Sequence, residues 1–207
     1  MAEAYPFVEL EDGPLRLVGG AIALDFANTV GWHLAEATTE HLRSYADLLA
    51  WMKGSGAIDA ARVRRLSAKA KRDPDEADRV LAAARTIREA IFRLFLARSR
   101  NKTPPAKDLA LVNRCLTRIA PRAGLGVDGK RIGWRWPDET LESVLAPVLW
   151  SAGDLLTGDR CIKLCAADGC GWVFLDASRK ANRLWCSMEG CGNRAKAKRH
   201  YRRRTSR

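Results

Sequence analysis

No stretch of this chain approaches the ~18 uncharged apolar residues that suggest a membrane-spanning helix, and Asp, Glu or Arg interrupts its most apolar helical segments. The opening residues, MAEAYPFVELEDGP, have neither a basic leader nor an apolar core, so no secretory signal is expected. There is no repeat and no low-complexity segment. A phosphate loop, a nucleophile motif and a dinucleotide fingerprint are also missing. Histidine is scarce: three in 207 residues, with only His200 beyond residue 160. These absences argue against a membrane protein and against the common enzyme classes, and they place the chain in the reducing cytoplasm.

Negative charge is scarce at one end. From Cys161 to Arg207 there are twelve Lys/Arg against three Asp/Glu, so this segment carries +9 of the chain's +12. Such a block creates a local positive potential that favours a polyanion. A solvated, solubilising tail would have the same composition. The shift near residue 160 marks a domain boundary.

What precedes the boundary reads as mainly helical. LRLVGGAIALDFANTV (15–30) begins like a strand, turns at Gly19-Gly20 and continues as an apolar helix or strand. Ser44, with Asp47 three residues on, caps a helix that ends at Gly54 and Gly56. A second helix is expected from Ile58 to Lys71. Pro74 then opens the strongest helical signal, which runs to Arg98. Val80, Ala84, Ile87, Ile91 and Leu94 recur on one face, widened by Leu81, Phe92 and Phe95. That stripe reads as core. Another helix is expected over Ala106–Ile119, with Cys115 buried in it. LGVDGKRIGWRW (125–136) alternates around Asp128-Gly129 as a hairpin does, with Trp134 and Trp136 on one face. Pro137-Asp138-Glu139 opens a last helix, Thr140 to about Leu156, ending near Gly158 and kinked by Pro147.

Four cysteines form two identical pairs, Cys165-x4-Cys170 and Cys186-x4-Cys191, with fifteen residues between them. Zinc prefers four thiolates in a tetrahedron, and two short cysteine loops supply them. Two disulfides are the alternative and fit a reducing compartment poorly. A segment of this size falls near the limit at which a domain needs a metal or disulfide staple. Cys161 could serve as a spare ligand, but the symmetry of the pairs argues against it. The order is cysteine loop, short strand (Trp172 to Leu175), turn, second cysteine loop, helix, a treble-clef-like layout. The expected fold is therefore α+β: a helical N-terminal domain with a β-hairpin, then a small zinc finger.

Gly192 or Asn193 begins the last helix. Ala197 and Tyr201, at i and i+4, form a narrow stripe for docking it. Lys196, Lys198, Arg199, Arg202 and Arg203 sweep round the other side, suited to a phosphate backbone or a major groove. Arg179, Lys180 and Arg183, in the turn between the pairs, add backbone contacts. Arg194 either reads a base edge or braces the thiolates, and Asn193 is either a cap or a base reader. Trp172, Phe174 and Trp185 read as the mini-core of the finger, with base stacking as the alternative. Double-stranded DNA is the favoured polyanion. Single-stranded RNA readers display exposed aromatics, and this helix offers only Tyr201.

At Cys191-Gly192-Asn193-Arg194 the sequence resembles the CGNR zinc-finger family. The resemblance runs through CAADGCGWVFLDASRKANRLWCSMEGCGNRAKAKRHYRRR, nearly all of residues 165–204. In such proteins the finger follows an ABATE domain, and LDFANTV (24–30), DLLAWM (47–52), RTIREAIFRLF (85–95) and LLTGDRCIKLC are similar to it. The resemblance implies a bacterial-type transcription regulator. Residues 1–159 would be its regulatory, ligand-sensing domain and 160–207 its DNA-binding finger, with one structural zinc ion. It leaves room for a small-molecule effector and a homodimer. An RNA- or protein-interaction zinc module and a small-ligand-binding protein remain as alternatives. Asp25, Asn28 and His33, close in sequence, are candidate ligand-binding residues; alternatively Asp25 and Asn28 are caps or hydrogen-bonded helix residues. No catalytic set is expected. His200 lies at the margin of a cationic face, Asp176 is the only nearby acid of note, and zinc held by four cysteines is closed to water.

Overall fold

The computed structural model describes residues 5–119, 123–128, 131–136 and 140–205; the side chains of residues 119, 128, 131 and 203–205 lie outside that description. A short hairpin opens the fold. Strand β1 (Phe7–Leu10) pairs antiparallel with β2 (Gly13–Arg16), and the alternation turns Val8, Leu10 and Leu15 into the core. After the turn at Gly20 (φ +78), helix α1 (Ile22–Ala27) carries Ala23, Leu24 and Phe26 at full burial. Two-residue strands β3 (Val30–Gly31) and β4 (Thr39–Glu40) pair next.

Helix α2 (Tyr45–Gly54) begins with the capping box expected at Ser44: its hydroxyl accepts from the Asp47 amide, and the Asp47 carboxylate accepts from the Ser44 amide. Helix α3 (Ala60–Arg72) is capped by Asp59. Asp73 caps helix α4 (Pro74–Ser99), the longest element. All eight residues of its expected apolar stripe are buried. Burying large aliphatic and aromatic side chains contributes ~1.5–3 kcal/mol each, and α4 packs against α1, α2, α3, α5 and α6. Helix α5 (Ala106–Ile119) buries Cys115, as expected.

Strands β5 (Gly124–Asp128) and β6 (Arg131–Arg135) form the expected second hairpin. Its turn residues Gly129 and Lys130 lie outside the described residues, as does Pro137-Asp138-Glu139. Trp134 and Trp136 stack at 5.8 Å, and Trp150 packs on both. Pro147 does not kink a long helix. A 3-10 turn (Leu141–Leu145) precedes it, and Pro147 falls in the first turn of α6 (Ala146–Thr157). There a missing N–H leaves no helical bond unmade.

The rest of the chain is built onto this helical body. Strands β7 (Ile162–Leu164) and β8 (Val173–Leu175) pair antiparallel, and Ile162 and Val173 belong to the same buried cluster as the helices. Helix α7 (Asn193–Thr205) starts at the expected residue, continuing from a wide turn over Met188–Gly192. The cap lies earlier than expected: the Ser187 hydroxyl accepts from the Gly190 amide. Ala197 and Tyr201 do not dock this helix, because both are exposed, Tyr201 at 70%. The first turn of α7 rests on the finger, and beyond it Lys198 pairs with Asp168; two small or half-polar side chains offer too little apolar area to pack the rest down. Among the described residues no helix is long and apolar enough to cross a membrane.

Candidate metal centre and nucleic-acid interface

The two cysteine pairs meet. All four thiol sulfurs lie within 4.8 Å of one another, and all four residues are buried. Cys170 Sγ is 3.9 Å from Cys186 Sγ and 3.6 Å from Cys191 Sγ, and Cys186 to Cys191 is 3.5 Å. A disulfide needs ~2.05 Å. Four thiolates at ~2.3 Å around one zinc stand ~3.8 Å apart. The donor set and its spacing therefore fit a single zinc ion, and the four cysteines are positioned to hold it.

Each pair is shaped by its own backbone. In the first, Gly169 (φ +71) and Gly171 (φ +69) take left-handed conformations. Gly171 also sits against the loop after β3: an added Cβ would come within 2.8 Å of His33 Cβ. In the second, the Ser187 cap and the Gly192 amide, which donates to Ser187 O, close the turn. The Cys186 amide points at Cys165 Sγ at 3.4 Å, and Arg194 donates to Cys191 Sγ at 3.1 Å. The Arg194 guanidinium, hydrogen-bonded to Cys191 Sγ, favours the charged form of that thiol. The thiolate is the form that binds a metal.

Around the sulfurs, Phe174 is fully buried, and Trp172 and Trp185 pack against the cysteine cluster. These are core positions, the first of the two readings open in the sequence. Asp176 organises the inter-pair turn. Burial opposes its ionisation, but the Lys163 ammonium (2.7 Å), the Ser178 hydroxyl and the Ser178 and Arg183 amides outweigh this and hold its carboxyl below the usual range.

The cations expected to meet a polyanion divide into two groups. Lys196, Lys198, Arg199 and Arg202 are exposed along α7, and Arg179 and Lys180 are exposed in the turn. Lys198 pairs with exposed Asp168 at 2.6 Å. Arg203's side chain lies outside the described residues. Arg183 is turned inward. Its guanidinium lies over the Phe174 ring at 4.2 Å and donates to the carbonyls of Leu175, Trp185, Cys186 and Val18. Four carbonyl contacts hold it as an internal strut rather than a phosphate contact. Arg194 braces the metal site and lies over the Trp32 ring at 4.6 Å. Asn193 donates to Glu189 O at 3.3 Å and does not cap the helix.

Asp25, Asn28 and His33 do not converge. The Asp25 carboxylate accepts from the Gly19 amide at 2.7 Å, and burial pushes its pKa up to about 7 against hydrogen bonds from the Gly19 and Val18 backbone. Asn28 is 1% exposed and clamps Val173 twice, accepting from its amide and donating to its carbonyl, each at 2.9 Å. His33 bonds Glu89 at 2.7 Å and stacks on Phe92. A cavity of about 460 Å³ does lie between β2, β3 and the finger, bordered by Arg16, Trp32, Trp172 and Glu189 and opening onto Cys170, Cys186 and Cys191 of the metal centre, and none of the three residues lines it. Sequence reasoning missed the clamp by Asn28. Its signal was an amide side chain in the mostly apolar stretch LDFANTV, where a buried polar group must find partners. Trp172 gives a second tie, donating to Val30 O at 2.8 Å, and the amides of His33 and Leu34 donate to Cys170 O and Gly169 O.

The ABATE family profile, described as "Putative stress-induced transcription regulator", matches residues 20–159. The CGNR zinc-finger profile matches residues 162–204. No curated protein matches the chain.

Proposed function

This chain belongs to the ABATE family of transcription regulators and carries a CGNR zinc finger, and we propose that it binds double-stranded DNA through α7. The observation that carries this reading is the helix itself. It is anchored at its first turn by the metal site, and beyond that turn Lys196, Lys198, Arg199, His200 and Arg202 are all exposed. The ten or so residues beyond Ala195 span ~15 Å, and a helix of ~10–12 Å diameter enters a major groove ~12 Å wide. Arg179 and Lys180 add phosphate contacts from the turn, whereas Arg183 and Arg194 hold the finger in shape. The role is one of binding and not catalysis: a zinc ion with four cysteine ligands offers no open position. The N-terminal region regulates this binding, with the cavity beside the finger as the place for a small effector. Duplex is favoured over single-stranded RNA because Trp172, Phe174 and Trp185 are committed to the finger's core.

Selection from randomised duplex DNA and from randomised single-stranded RNA by the zinc-loaded full chain tests this. Enrichment of a common duplex sequence is the expected result. Enrichment confined to the RNA pool, or retention of neither, contradicts it.

A further inference from the structure

Trp32 is the most unusual residue near the finger. Its φ is +55, in the left-handed region that a bulky side chain rarely adopts. The chain is pinned on its far side, where the His33 and Leu34 amides donate to Cys170 O and Gly169 O and the Ala35 amide returns to Trp32 O at 2.8 Å. The result is an indole held on the outside of the metal site, still 40% exposed. It rests close to Gly169, where an added Cβ would come within 3.7 Å of its ring, and the Arg194 guanidinium lies over it. Backbone strain of this kind costs ~1–3 kcal/mol and persists where the surroundings over-determine it, commonly at functional sites.

Beside this ring is a groove of about 580 Å³ between the first cysteine loop and α7. Trp32, Trp185, Arg194, Lys198, Arg199 and Arg202 border it, with Asp168 as its only carboxylate. Asp168 is already engaged with Lys198. An aromatic face set among guanidinium and ammonium groups is the chemistry of nucleic-acid strand binding, where cations take phosphates and the ring takes a sugar or base face. The groove opens along the same helix that the proposed function assigns to duplex DNA.

We infer that this groove holds a nucleotide unit of the duplex strand flanking α7, with its phosphate among Lys198, Arg199 and Arg202 and its sugar against the exposed part of Trp32. The helical region then supplies a residue of the nucleic-acid surface directly, and does not merely regulate the finger. The inference rests on the reading of α7 as the nucleic-acid helix, and the two fail separately.

The test uses the full, zinc-loaded chain and its best duplex from the selection above. Trp32→Ala should weaken binding about tenfold, the loss typical of removing one aromatic platform. Trp32→Phe, which keeps a ring, should recover most of it. Zinc content and thermal midpoint are followed in both variants, so that a folding defect is visible. In 5-fluorotryptophan-labelled protein, the resonance missing from Trp32→Phe should shift on adding duplex. If Trp32→Ala keeps the wild-type affinity while alanines at Lys198, Arg199 and Arg202 abolish binding, the groove inference is wrong and the helix reading stands. If those alanines also leave binding intact, the helix reading fails as well. If adenosine monophosphate shifts the Trp32 resonance and the duplex does not, the groove is a free-nucleotide site and the inference is overturned.

Discussion

The helical region and the finger both bury a core, but with different materials. In the helical region the largest fully buried side chains are aliphatic and aromatic: Leu24, Phe26, Trp51, Ile91, Leu94 and Phe95 are all 1% exposed or less. Burial alone holds them. In the finger, four of the six residues in the local buried cluster are the cysteines, and the other two are Phe174 and Val18. Val18 comes from the N-terminal side of the chain. The finger thus has little apolar area of its own and depends on a metal and on its neighbour. Asn28, Trp172 and the loop after β3 are the polar ties that join the two.

The sharpest way to break this comparison is to remove a thiolate. Cys191→Ser should abolish zinc retention, forfeiting binding worth roughly 10–16 kcal/mol in small zinc domains. Amide exchange should then show lost protection over residues 162–205 and retained protection in α4. Equal loss in both regions would show that the helical body also depends on the metal.

Asn28→Ala comes next. It strands the buried amide and carbonyl of Val173, at about 1–3 kcal/mol each, so urea unfolding should show a loss of about 2–5 kcal/mol. A loss below 1 kcal/mol would mean that the tie between the regions is dispensable.

The smallest effect is expected at Asp25, whose pKa is raised from 3.8 to about 7. The folded chain keeps a proton that the unfolded chain releases. Its contribution is therefore fully present below pH 3.8, is lost as pH rises towards 7, and changes no further above that. Asp25→Asn removes this dependence. Between about pH 5 and 7, at about 1.36 kcal/mol per unit, wild-type stability should fall relative to the variant by about 2–3 kcal/mol, measured by paired melts. Parallel curves would place the Asp25 pKa near its ordinary value.

The parts of this molecule that were legible in the sequence are those whose cause is local. The apolar stripe of α4, the Ser44–Asp47 box and the Pro74 start are set within one or two helical turns. The cysteine pairs were legible because the metal's geometry is written in their spacing. Strands β3 and β4, two residues each, are too short to show a period. Pro147 breaks a helix in mid-run but also starts one, and local sequence does not separate these. The inward turn of Arg183 depends on carbonyls from Val18 to Cys186, and a basic residue in a basic segment gives no sign of it. Ala197 and Tyr201 have the right spacing to dock, yet both stay exposed. Trp32 acquires its setting only when the loop after β3 meets the first cysteine loop.

The account's central claim is that a metal-anchored helix presents its cations to duplex DNA. The most direct measurement is the salt dependence of duplex affinity for the zinc-loaded chain and for a variant with Lys196, Lys198, Arg199 and Arg202 changed to Ala. The wild type should show a steep decline with salt, and the variant weaker binding with a slope shallower by up to about 3.6, ~0.9 for each of four lost phosphate contacts. Equal affinity and equal slope in the two proteins would contradict it.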